Sequence, residues 1–186
     1  KLTTLTKSKL NHKRPKIINR RGRFGDDEAH FKETGKSGRG RILTVADRKL
    51  RVSFLEKVLP VTIENVHRAF TIIQKRYPEL RTITTDNDLL LQQHEALETL
   101  LGVKIYFCHP YHSWEKGTVE NTNGEIRKYI PKGNDLSCYS SQFIRSVENT
   151  VNSRYMECLR FRTPQEALIT HRKLKQHLKV CSKIKK

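Results

Sequence analysis

Two acidic residues, Asp86 and Glu120, stand in contexts that could bring them to one cation. The β-branched run Thr82–Thr85 predicts a short strand, and Asp86 follows directly at its end. Glu120 follows with 33 residues between the two acids (120 − 86 − 1) and opens a predicted helix, on which Asn123 and Arg127 follow at i+3 and i+7 and are expected to share one face with Glu120. An acid at a strand end and an acid on a helix can converge on a divalent cation, as phosphoryl-transfer enzymes require. Any two acids can equally be solvated, so the surrounding residues must decide.

The composition favours a nucleic acid as the partner. The chain carries a formal net charge of +18 and has a pI near 10.0, which implies a polyanion. A membrane surface is the other common polyanion, but no apolar run approaches the roughly 18 residues of a membrane span, and residues 1–30 lack the apolar stretch of a signal peptide. We therefore expect a nucleic-acid-binding protein without membrane association.

The cysteines do not form a recognisable metal site. They are spread along the chain without paired spacing, at Cys108, Cys138, Cys158 and Cys181. Reduced thiols in a reducing cytoplasm explain this pattern. The cluster of Cys108, His109 and His112 resembles half of a zinc site, but it lacks a second ligand pair.

Hydrophobic periodicity predicts an α/β fold with a mixed five-stranded sheet flanked by helices and a C-terminal helical extension. Three strands come first, within 25–35, 41–48 and 51–58, and two more follow at 82–85 and 103–107. Helices are predicted after Thr62, over 92–101, from Glu120, over 141–158 and, as a short last helix, from the capping box Thr163-Pro164-Gln165-Glu166. Three consecutive strands followed by helical crossovers give the ribonuclease H-like order.

Charge divides the chain into three parts. Residues 1–24 hold nine Lys/Arg and no acid, without apolar periodicity, and predict an extended basic arm that contacts phosphates. Residues 25–170 form the expected single core. Residues 171–186 add seven Lys/Arg and no acid, and predict a basic C-terminal tail.

Several short motifs, taken together, carry a family resemblance. They are Thr85-Asp86-Asn87, His109-Pro110-Tyr111, the stretch from Trp114 to Gly124, Arg127, and Pro131-Lys132-Gly133. They resemble the bacterial insertion-sequence transposases of the IS-thirty family, whose catalytic core is a DDE integrase domain, and the resemblance runs from about residue 23 to residue 168. It implies a ribonuclease H-like core that cleaves phosphodiesters and transfers strands at element ends. In that family a helix-turn-helix module lies upstream, so we expect residues 1–24 to be a linker from it.

The resemblance also implies roles for individual residues. Asp86 and Glu120 match the second and third members of the acidic triad and would be ligands of a two-metal site holding Mg²⁺ or Mn²⁺. Arg127 is expected to contact phosphate near the cut, and Lys116 and Asn123 are further DNA-contact candidates. The implied partners are double-stranded DNA, both element ends and target, and further copies of the chain in a homo-oligomer.

The first member of the triad is where this sequence departs from the family. The expected aspartate falls in the stretch Glu28-Ala29-His30, so that His30 stands in its place. Neutral imidazole is a poor ligand for Mg²⁺ and carries no negative charge, so we expect impaired catalysis. Asp26 and Asp27 lie about 10–13 Å away along an extended strand, too far to substitute, and Asp47 on the neighbouring strand is a further candidate without a family role.

Three functions remain open from the sequence. The first is a metal-dependent transposase core, impaired by His30, and the second is a catalytically inactive DNA-binding remnant of one. The third, an RNA-degrading nuclease on the same fold, is disfavoured because the residues around Glu120 are transposase-like.

Overall fold

The computed structural model describes residues 14–33, 40–109 and 113–184. The first half of the predicted basic arm, the turn expected at 35–38, and Pro110, Tyr111 and His112 lie outside the described residues.

A mixed five-stranded sheet forms the centre of the fold, as predicted. Its strands are β1 (Asp26–Glu33), β2 (Arg41–Asp47), β3 (Ser53–Val58), β4 (Thr82–Thr85) and β5 (Lys104–Phe107), in the spatial order β3-β2-β1-β4-β5. Strands β1, β2 and β3 pair antiparallel, whereas β4 pairs parallel with both β1 and β5. The parallel pairs place the carboxyl ends of β1, β4 and β5 at one edge of the sheet.

Within the ranges that the structure describes, six α-helices connect and cover the strands. They are α1 (Lys16–Asn19), α2 (Ile63–Arg76), α3 (His94–Leu101), α4 (Gly117–Ile126), α5 (Ser141–Asn152) and α6 (Pro164–Ile184). The predicted caps are confirmed: Thr62 accepts the amide of Asn65, Gly102 ends α3 with φ +64°, and the Thr163 side chain accepts the amide of Glu166.

The two faces of the sheet bury different cores. Along β1, Ala29 and Phe31 point into the larger core with residues of α2 and α3. The other face packs Ile42 and Leu55 against residues of α4 and α5. On that second face of β1, Lys32 donates to the carbonyl oxygen of Ile130 at 2.8 Å. Because side chains alternate along a strand, Glu28 and His30 share this face with Lys32 and therefore face α4.

Both predicted tails are more ordered than the sequence suggested. Within the arm, Ile18 on α1 is fully buried, and the guanidinium of Arg14, also buried, donates to Thr84 Oγ1 at 2.8 Å. Residues 14–24 are therefore packed on the sheet rather than extended. At the other end, α6 runs for 21 residues through most of the predicted tail, because residues 171–184 contain neither Gly nor Pro to stop it.

Candidate active site

The parallel pairing of β1 with β4 brings His30 and Asp86 together. The register pairs Glu28 with Thr84, so two residues further along both strands His30 lies beside Asp86. The distance from His30 Nδ1 to Asp86 Oδ2 is 3.3 Å, and the two side chains are 31% and 43% exposed. The site therefore opens to solvent at the carboxyl edge of the sheet.

Lys116 is the third member of this cluster. Its Nζ lies 2.9 Å from Asp86 Oδ2 and 3.3 Å from His30 Nδ1, and its side chain is only 4% exposed. Burial disfavours the charged form of Asp86, but the hydrogen bond with His30 and the charge of Lys116 outweigh it and hold the pKa of Asp86 well below its usual range. Asp86 is therefore an ionised carboxylate whose Oδ2 already has two partners.

A buried acid on β1 anchors the helix that bears Glu120. Glu28 Oε2 accepts the backbone amide of Val119 at 2.9 Å, in the first turn of α4. Its other oxygen, Oε1, lies 2.5 Å from Arg48 Nη1. Burial raises the pKa of Glu28 even though Arg48 and the helix amide favour the carboxylate. Sequence reasoning missed this role of Glu28, and the available signal was an acid two residues before His30 on the same strand face.

Glu120 lies on the exposed side of α4, four residues after Lys116. Because Lys116 touches Asp86 and Glu28 fixes the first turn of α4, Glu120 is held on a helix that starts at the carboxyl edge of the sheet. A shared site for Asp86 and Glu120 stays a prediction.

The three DNA-contact candidates, Arg127, Asn123 and Lys116, differ in their exposure to solvent. Arg127 follows the end of α4 and is exposed, so its guanidinium is accessible to a phosphate. Asn123 is buried and its Oδ1 accepts a hydrogen bond from Thr44 Oγ1 at 3.0 Å. Asn123 therefore lies on the sheet side of α4 and not on one face with Glu120 and Arg127. Lys116 is buried as well, and a DNA contact of either residue stays a prediction.

The other acids weighed for the first triad position are all buried. Asp26 is paired with Arg23, at 2.8 Å between Nε and Oδ2. Asp47 accepts from the amide of Gly25 and from the Tyr77 hydroxyl, at 2.7 and 2.8 Å. Asp27 is fully buried, and neither of its oxygens has a hydrogen-bond partner. Asp27 also points to the face of β1 opposite His30.

The described residues of the cluster that resembles half of a zinc site, Cys108 and His109, do not favour zinc binding. Burial raises the pKa of the Cys108 thiol to about 12, which disfavours the thiolate that zinc requires. His109 Nδ1 lies 2.9 Å from Glu115 Oε1.

Comparison with known proteins identifies the chain's relatives. No protein-family model matches it. It is 40% identical over 154 residues to the transposase for insertion sequence element IS4351 of Bacteroides fragilis, an alignment that covers 82% of this chain and 47% of the relative. It is 34% identical over 159 residues to the transposase InsI for element IS30A of Escherichia coli strain K12, covering 84% of this chain and 41% of the relative.

The chain belongs to the IS30 family of insertion-sequence transposases. It spans less than half the length of these curated relatives. Its fold is that of retroviral integrase cores: the catalytic core domain of BIV integrase matches with a TM-score of 0.60 at 16% identity, covering 81% of this chain and 97% of that one. A simian T-cell lymphotropic virus intasome chain matches with a TM-score of 0.61 at 17% identity, covering 76% and 52%. The predicted ribonuclease H-like fold is confirmed.

The transposase site does not fit a two-metal centre for Mg²⁺. Among the described residues, no group of three or more His, Cys, Asp and Glu side chains is arranged to hold a metal ion. Mg²⁺ demands oxygen ligands in near-octahedral geometry, whereas this site offers an imidazole from His30 and a carboxylate, Asp86, already bound to an ammonium group.

Within the described part of the chain, no helix is long and apolar enough to cross a membrane.

Proposed function

We propose that this chain is the core of a transposase that binds double-stranded DNA at insertion-element ends and at the target, with strand cleavage and transfer impaired in Mg²⁺. The observation that supports this most directly is the contact between His30 and Asp86 on neighbouring parallel strands. The contact supports the assignment of His30 to the first triad position, where the family resemblance implies a carboxylate. Family membership supports DNA as the substrate. The imidazole of His30 beside Asp86, in place of a second carboxylate, supports impaired cleavage and strand transfer with Mg²⁺.

Of the three acidic positions that the family resemblance implies, two still hold carboxylates, Asp86 and Glu120. We propose these two as the metal ligands of the ancestral site. Their chemistry depends on position, because phosphoryl transfer is catalysed mainly by holding the attacking and leaving oxygens in line. With His30 in the first position the site lacks one negative charge and one oxygen ligand. A misplacement of about 1 Å in such a site costs roughly a hundredfold in rate.

Affinity for DNA comes from the surface charge. The net charge of +18 and the Lys/Arg of residues 1–24 and 171–186 provide contacts to phosphates, which release counterions on binding. Arg127 is the proposed contact beside the acidic site, because it is exposed and lies on the same helix as Glu120. We further propose residues 25–170 as the catalytic unit, homo-oligomers as the active form, and a bacterial, nucleoid-associated location.

A catalytically inactive DNA-binding remnant is the second candidate. The contact of Lys116 Nζ with Asp86 favours it, since the carboxylate that should bind metal already has a cationic partner. The two candidates predict the same DNA binding and differ in metal-dependent chemistry.

A branched duplex that mimics the joined product separates them. Reversal of strand transfer on such DNA needs no recognition of an end sequence, so it tests the chemistry of the core alone. We expect binding in a gel-shift assay, slow reversal with Mg²⁺ and faster reversal with Mn²⁺, which accepts imidazole more readily. Asp86→Asn and Glu120→Gln should abolish the reversal and leave binding intact. Undetectable reversal with both metals would establish the remnant, and failure to bind DNA would refute both candidates.

A further inference from the structure

Lys116 is a buried lysine whose ammonium group lies inside the acidic cluster. Its side chain is 4% exposed, although lysine side chains ordinarily extend their ammonium group to water. Its Nζ instead contacts Asp86 Oδ2 at 2.9 Å and His30 Nδ1 at 3.3 Å. A buried ammonium group needs such a partner, because an unpaired charge is costly in the interior.

We propose that Lys116 is an internal counter-ion that occupies the cation position of the acidic site, so that a divalent ion binds Asp86 only when the Lys116 ammonium group is displaced. This inference rests on the proposed assignment of Asp86 as a metal ligand. It adds a second cause of weak metal binding, distinct from the missing carboxylate at position 30 but coupled to it through the charge of Lys116.

The local charges support this assignment. Asp86 carries one negative charge, and Lys116 balances it at 2.9 Å. A divalent ion bound to the same carboxylate would be close to the ammonium group and repelled by it, so the two cations would compete for one anion. Nearby, Arg14 is buried against Thr84, next to β4, and Arg48 is bound by Glu28. Both arginines are thus bound elsewhere, and the described contacts of Asp86 are with the Lys116 ammonium group, the His30 imidazole and the Thr85 hydroxyl.

The backbone keeps Lys116 in place. It ends the 3-10 turn Ser113–Lys116 and directly precedes α4. The first turn of α4 is fixed by the Glu28 carboxylate on the amide of Val119 and by Arg51 Nη1, which donates to Thr118 Oγ1 at 2.8 Å. With the backbone fixed on this side, displacement of the ammonium group from Asp86 requires a change in the rotamer of the Lys116 side chain.

Binding of Mn²⁺, measured by loss of the electron paramagnetic resonance signal of the aqueous ion, tests the proposal without any DNA chemistry. Lys116→Met should raise the Asp86-dependent affinity on the order of thirtyfold, since it removes a unit charge about 4 Å from a divalent ion even at the dielectric constant of water. Lys104→Met is the matched control, because Lys104 is exposed on β5 and its loss changes the net charge equally. The gain should disappear in the double variant Asp86→Asn, Lys116→Met.

The combination with His30→Asp gives a second test. The added carboxylate alone also attracts the Lys116 ammonium group, so His30→Asp with Lys116→Met should gain more Mn²⁺ affinity than the product of the two single gains. Multiplicative gains, or equal affinities for Lys116→Met and Lys104→Met, would overturn the proposal.

A measurement on the unaltered chain covers the case in which Lys116→Met does not fold. Acetylation of Lys116, followed by mass spectrometry, should be slow in the absence of metal and several-fold faster when Mn²⁺ fills the Asp86-dependent site. Unchanged reactivity at saturating Mn²⁺ would refute displacement. Because neither readout involves DNA, a chain that fails to reverse strand transfer can still confirm the role of Lys116, and the two proposals fail separately.

Discussion

Replacing the buried Asp27 should stabilise this protein. Asp27 lies on β1 with no exposed surface, and both carboxyl oxygens lack hydrogen-bond partners. A buried polar group without partners costs about 1–3 kcal/mol. Valine is a good strand residue of similar size and would extend the apolar face formed by Ala29 and Phe31. We therefore expect Asp27→Val to raise the free energy of unfolding at pH 7 by about 1–3 kcal/mol.

The free energy of unfolding should also depend on pH, in a direction that tests the same prediction independently. Burial, followed by the nearby carboxylates of Asp47 and Asp26, raises the pKa of Asp27 well above the usual range of an aspartate. The folded chain thus keeps a proton that the unfolded chain releases, and stability falls as pH rises from about 4 through the folded pKa, by at most about 1.4 kcal/mol per unit. Asp27→Val removes this loss, so its advantage over the unaltered chain should grow with pH.

Urea denaturation at several pH values between 4 and 8 measures both effects. Asp26 is the matched control: it is the adjacent residue, equally buried, but it is bound to Arg23 and to the Thr82 hydroxyl at 2.8 Å. Asp26→Val should destabilise by about 2 kcal/mol, because it leaves those donors without an acceptor. Equal destabilisation by both substitutions, with no change in pH dependence, would refute the view that Asp27 is an unpartnered acid.

Three further predictions concern the helix anchor and the DNA surface. Arg48→Met leaves the Glu28 carboxylate buried without its cation, so it should destabilise by about 3–5 kcal/mol in urea; a loss below 1 kcal/mol would contradict the anchoring role. Deleting residues 1–13 removes four lysines and should make the slope of log affinity against log salt shallower by up to about 3.6 units; an unchanged slope would mean that these lysines do not contact phosphate. Arg127→Ala should weaken binding to all DNA sequences alike and reduce that slope by about 1, and a sequence-selective loss in the same titration would assign Arg127 to base contacts instead.

The strands and helices could be predicted from patterns that are local in the sequence. β-Branched runs fix the strands, and Thr62, Gly102 and the Thr163 capping box fix the helix ends, each through contacts within a few residues. The conformation of residues 14–24 was missed because it depends on a contact between Arg14 and Thr84, 70 residues apart. A run of basic residues gives no local indication of such a partner.

The proximity of two site residues could be predicted where it depends on the pairing of strands. The burial of site residues could not be predicted where it depends on the orientation of a helix. His30 and Asp86 meet because two parallel strands pair, as the family resemblance implied. Lys116 and Asn123 were both predicted to contact DNA, the first just before the helix that bears Glu120 and the second on it. The buried side of that helix could not be predicted from its mixed polar sequence. Their burial follows from the orientation that Glu28 imposes on α4, through a contact across 91 residues.

Reversal of strand transfer on branched DNA in Mg²⁺, comparing the unaltered chain with His30→Asp, tests the central claim most directly. Restoring the carboxylate should raise the single-turnover rate roughly a hundredfold over the slow unaltered chain, and the gain should vanish when Asp86→Asn is added. Robust Mg²⁺-dependent reversal with His30 in place, lost in Asp27→Ala or Asp47→Ala, would contradict the account and assign the first acidic position to one of those aspartates.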